Sequence, residues 1–140
     1  MSVVNASKAV LIMGLLVGCL QGAAPSFAAT APGLTRIDSG GGVTIKVTYI
    51  HPQVTGELRF TVVLDTHSVN LAGYDLKGLT LLRDETGKNY EPTKVENKGS
   101  GHHREVALIF PRLSPDAKQI EIIIKDIAGV KERTFRWDLK

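Results

Sequence analysis

Cysteine is almost missing from this chain: Cys19 is the only one in 140 residues, so no internal disulfide can form and the fold must close on packing and hydrogen bonds. Long apolar runs are missing too. The stretch AVLIMGLLVG, Ala9 to Gly18, falls short of the roughly 20 residues that span a bilayer core. Neither sign of charge dominates. The net charge is +3, and stretches such as KERTFRWD mix the signs, which is the pattern of a solvated surface and excludes a nucleic-acid partner held by a basic face. No long segment carries apolar residues at helical spacing, and no internal repeat is evident. A nucleophile beside a base is lacking as well: His67 and Ser68 are neighbours on an expected strand and so point to opposite faces, and no other serine sits in a recognisable elbow. The chain is therefore read as a protein without catalytic activity.

What is present begins with an export signal. Lys8 is the only charge before the apolar run of residues 9–18, and a short positive region followed by such a run marks secretion. Two processing sites compete. Leu16-Val17-Gly18-Cys19 resembles the lipobox of bacterial lipoproteins, which implies acylation of Cys19 and attachment to a membrane through the lipid. Ser26-Phe27-Ala28 instead offers a small-x-small site, with cleavage after Ala28 and release as a soluble periplasmic or secreted protein. With the lipid, the protein is a cell-envelope lipoprotein facing the periplasm; Leu20 follows the cysteine where an inner-membrane retention signal would carry aspartate, so in a two-membrane bacterium the outer membrane is expected. Loss of residues 1–18 removes Lys8 alone, leaving 16 basic against 14 acidic groups and a net charge of +2. Residues 19–41, rich in small residues, Pro and Gly, read as a flexible tether.

From residue 42 to 140 the apolar positions recur with period two, the signal of half-buried strands. Seven segments carry it: VTIKVTYI, ELRFTVVLDTH, LTLLR, KNYEPT, HREVALIF, QIEIIIKD and ERTFRWDL. Val43, Ile45, Val47 and Tyr49 share one face of the first, and Leu58, Phe60, Val62 and Leu64 one face of the second. Val106, Leu108 and Phe110, then Ile120, Ile122 and Ile124, then Phe135, Trp137 and Leu139 supply the remaining inward positions. Asp84-Glu85-Thr86-Gly87 reads as a hairpin loop. Seven short strands in about 100 residues predict an all-β domain, a seven-stranded immunoglobulin-like antiparallel sandwich.

Two polar stretches stand out against this background, LDTHSV around Asp65 and His67 and GSGHHREV around His102 and His103. In the immunoglobulin-type order the second and fifth strands are antiparallel neighbours, which would bring the two stretches together. His51, which with Pro52 ends the first strand, would fall at the opposite pole. Parity puts Asp65, His67, His103 and Glu105 on the outer face, lets the glycine loop turn His102 either way, and points Arg104 inward to cap the core or pair with an acid. Imidazoles with one carboxylate suit copper or zinc. The expected metal ligands are thus Asp65, His67 and His103, with His102 as a fourth. The alternative is a polar cluster in which Asp65 bonds loop backbone or Arg104, on a module that meets a protein partner in the envelope.

Together, LDTHSVNL, GHHRE and ERTFRW resemble a group of small exported bacterial sandwich domains of unassigned activity, over most of Gly42 to Leu139. More loosely, Asp65-Thr66-His67 resembles the DxH of periplasmic copper-resistance chaperones, small sandwiches in which that motif and an amino-terminal histidine hold Cu(II). This chain departs in the second half of that site, since its processed N-terminus would be Cys19 or Ala29. His102 and His103 would have to substitute.

Overall fold

The computed structural model describes residues 34–50, 56–99 and 101–139. His51, Cys19 and both processing sites lie outside these. Among the described residues, two antiparallel sheets face each other. The first contains β1 (Thr35–Gly40), β2 (Val43–Ile50), β3 (Leu58–Thr66), β7 (His103–Phe110) and β6 (Lys94–Lys98), in the order β1-β2-β3-β7-β6. The second runs β5 (Asn89–Tyr90), β4 (Thr80–Asp84), β8 (Gln119–Ile127), β9 (Val130–Asp138). A single helical turn, α1 (Leu76–Leu79), precedes β4 and is capped by the Asp75 carboxylate, which accepts from the Lys77 amide at 3.1 Å.

Taken without β1 and β5, the order β2-β3-β7-β6 against β4-β8-β9 is the ABED and CFG arrangement of an immunoglobulin-type sandwich. The core follows the period-two reading. The expected inward residues of β2, β3, β7 and β8 are all buried, as are Phe135 and Trp137. Leu139 is only half-buried, at the rim of this core. Tyr49, Phe60, Phe110 and Trp137 form an aromatic cluster, with Phe60 edge-on to Phe110 at 5.8 Å between ring centres. The Asp84 to Gly87 loop is a hairpin, closed by the Asp84 amide donating to the Lys88 carbonyl at 3.1 Å.

Nine strands lie among the described residues, and the first of them starts before residue 42. Residues 35–40, expected in the tether, form β1 and pair with β2 from Thr35 against Thr48 to Gly40 against Val43. The inward positions of this edge strand are Arg36, Asp38 and Gly40, opposite Val47, Ile45 and Val43, whereas Ile37 faces out and is 65% exposed. An apolar pattern therefore could not announce it. Besides its ladder with β2, the start of the domain is held by polar contact with β9 across the open side of the sandwich. Arg36 Nε donates to the Arg136 carbonyl at 3.0 Å, Trp137 Nε1 to the Leu34 carbonyl at 2.9 Å, and Arg133 reaches Asp38 and Gly40. The second unexpected strand, β6, is an edge strand of sequence KVENK in which only Val95 packs against the core.

Candidate functional site

The site grows from the end of β3 and the start of β7. These strands pair from Leu58 against Phe110 to Asp65 against His103, and the Thr66 amide continues the ladder to the His102 carbonyl at 3.0 Å. The two polar stretches are thus neighbours, on the side of the sheet away from the core. Beyond Asp65 the row runs on through Thr44 of β2 to Ser39 of β1, whose hydroxyls are 2.9 Å apart.

Two residues missed in the sequence, Thr66 and Gly41, build this pole together with Arg104, which was expected there. Thr66 points inward and is buried; its hydroxyl donates to the Gly42 carbonyl at 2.7 Å and accepts from the amides of Ser68 at 3.2 Å and Val69 at 3.1 Å. That serine/threonine turn ends the strand and bends the chain. His67 and Ser68 consequently lie in a bend, so strand parity governs neither, although it holds for Asp65. Arg104 caps the pole, as one of its two expected roles required: Nη1 donates to the carbonyls of Leu71 at 2.9 Å and Tyr74 at 2.7 Å, and Nη2 to Asn97 at 2.8 Å. Gly41 lets the β1–β2 turn touch the β8–β9 turn, since a Cβ there would stand 2.0 Å from the Ala128 carbonyl oxygen.

Asp65, His67, His102 and His103 line one surface pocket of about 380 Å³ together with Gly42, Thr44 and Thr66. Within it Asp65 Oδ1 contacts His103 Nδ1, and both side chains are open to water, at 49% and 67% exposure. Among the described residues no three histidine, cysteine, aspartate or glutamate side chains stand close enough together to hold an ion as they are arranged. The imidazoles of His67 and His102 are exposed and line the same pocket.

The geometry bears on catalysis also. A nucleophile, base and acid must follow in that order for the base to take the nucleophile's proton. Along this row Asp65 stands between Thr44 and His103, so these three do not follow the hydroxyl, imidazole, carboxylate order.

A second pocket, of about 320 Å³, lies at the other pole among Leu34, Tyr49, Leu58, Leu113 and Leu139, with Arg112 and Asp138 at its wall. Among the described residues no imidazole lines it. No protein-family model, no curated protein and no solved structure matches the chain.

Proposed function

We propose that this chain is an exported, lipid-tethered binding domain that holds a divalent transition metal, copper or zinc, at the His/Asp pole of its sandwich, and that it performs no catalysis. The observation that carries this reading is the pairing of Asp65 with His103, which gathers three of the chain's four histidines around one pocket. Neutral imidazoles bind both ions well, and a neighbouring carboxylate offsets the charge. Compared with the DxH of the copper-resistance chaperones, His102 and His103 take the place of the amino-terminal histidine. Acylation of Cys19 supplies the membrane attachment, and Leu20 beside it favours the outer membrane where there are two.

Titration of residues 20–140, which omit the competing thiol of Cys19, with Cu(II) and with Zn(II) tests the metal. One ion per chain is expected, with affinity reduced at least tenfold in His67→Ala and in His103→Ala. Unchanged affinity in both variants would reject these ligands. Labelling of the whole cell with a fatty acid probe, compared with a Cys19→Ala variant, tests the anchor.

A second reading, a protein-interaction or structural module of the envelope, draws on the absence of three ready-placed ligands among the described residues. Absence of any saturable uptake of Cu(II) or Zn(II) would favour it.

A further inference from the structure

We infer that Asp65 is a positioning residue for His103 and is not itself a metal ligand. This rests on the metal-binding reading above and departs from the expectation that Asp65 and His67 are both ligands. Asp65 and His103 are directly opposed on antiparallel strands, and the carboxylate faces Nδ1 of the ring. A neutral imidazole has one N–H and one lone pair. With Nδ1–H donated to the carboxylate, the lone pair belongs to Nε2, the nitrogen on the far side of the ring from the strand that holds Asp65. Histidines that bind metals commonly carry such a carboxylate on the second nitrogen, where it fixes the tautomer and ring orientation and raises ligand basicity.

The rest of the row agrees. His103 already engages Oδ1 of Asp65, and the chain bends after Thr66, so Asp65 and His67 lack the shared strand direction that aims two ligands at one ion. On its other flank Asp65 meets Thr44, whose hydroxyl is engaged with Ser39 at 2.9 Å. The ligands are then Nε2 of His103 with the imidazoles of His67 and His102, all three on the same pocket, and solvent completes the shell.

The test uses residues 20–140, Cu(II) alone as the probe, and Asp65→Asn, which keeps an oxygen acceptor for Nδ1–H but removes its charge. Asp65→Asn should lower Cu(II) affinity by about 10- to 100-fold and leave the electron paramagnetic resonance spectrum of the bound ion as in the unaltered protein. In a His103→Ala background the same substitution should have no further effect, because Asp65 acts through that ring. A changed spectrum in Asp65→Asn overturns the inference by making the carboxylate a ligand, and so does an unchanged affinity, or an equal loss with and without His103. Failure of the unaltered protein to bind Cu(II) or Zn(II) would overturn the underlying metal-binding reading instead, which keeps the two failures apart.

Discussion

Arg133 and Asp38 meet across the open side of the sandwich, Nε donating to Oδ1 at 2.9 Å between residues 95 positions apart. Arg133 is only 2% exposed, and its other donors reach the carbonyls of Ile127 at 3.1 Å and Gly40 at 2.7 Å. Two of its three partners therefore belong to β1. A buried guanidinium left without its partners is costly, since breaking a buried ion pair from one side typically loses about 3 to 5 kcal/mol. The Asp38 carboxylate is half open to water, so its own share is smaller. Asp38→Ala should cost about 1.5 to 3 kcal/mol, the range for a hydrogen bond to a charged group. A chain beginning at Gly42 should lose more than that against one beginning at Leu34. Denaturant melts of the three proteins check this, and equal midpoints for the chains starting at 34 and 42 would show that β1 contributes nothing.

Gly41 and Gly87 offer a matched comparison. Both occupy left-handed backbone, at φ +60° and +86°, but a Cβ at Gly41 would collide with the Ala128 carbonyl at 2.0 Å while one at Gly87 would meet open space. An alanine in that conformation costs roughly 1 to 2 kcal/mol through the backbone alone. Gly87→Ala should pay this and little else. Gly41→Ala must also part the β1–β2 turn from the β8–β9 turn, so its loss should exceed that of Gly87→Ala by at least about 1 kcal/mol. Thermal unfolding of both variants measures the gap; identical losses would mean that the two turns separate without cost.

The residues behind these two predictions show where the sequence could be read and where it could not. A strand that buries apolar side chains at every second position announces itself, which is why Val43 to Tyr49, Leu58 to Leu64 and Ile120 to Ile124 fell on the inner faces as expected. β1 reverses that signal. Its core-side positions are Arg36 and Asp38, meaningful only once Arg133 is known to lie buried 95 residues away. The pairing of Asp65 with His103 was legible because it follows from strand order and parity. The bend at His67 was not, because it depends on one hydroxyl, that of Thr66, reaching a turn 24 residues upstream.

Acid should weaken the β4–β5 hairpin in a way that one substitution can isolate. Desolvation pushes the Asp84 carboxyl upward, but hydrogen bonds from the Thr86 hydroxyl, the Tyr90 hydroxyl and the amides of Lys88 and Thr86 outweigh it and hold the group below its ordinary range. The folded protein thus binds this proton more weakly than the unfolded chain does. The resulting stability is fully present above the unfolded value of about 4 and is lost as pH falls through the lower folded value. The stability difference between the unaltered protein and Asp84→Asn should accordingly be widest near pH 6 and shrink steadily below pH 4. Denaturant midpoints across that range decide it, and a difference independent of pH would mean that the loop needs an acceptor there but no charge.

Thr66 ties the stability of the pole to its ligand chemistry. Its hydroxyl is a single atom with three partners, the Gly42 carbonyl and the amides of Ser68 and Val69, and it is buried where water cannot replace it. Thr66→Val keeps the shape and strands all three, so it should cost about 1 to 3 kcal/mol. Thr66→Ser keeps the hydroxyl and gives up a methyl group, a loss nearer ~0.8 kcal/mol. If His67 is a ligand, the two variants must also differ in Cu(II) binding under conditions where both are folded. Valine frees the bend that carries His67 and should weaken binding several-fold, whereas serine preserves the bend and should leave binding within error of the unaltered protein. Equal affinities for valine and serine, with stabilities differing as expected, would remove His67 from the site while leaving His103 and its carboxylate in place.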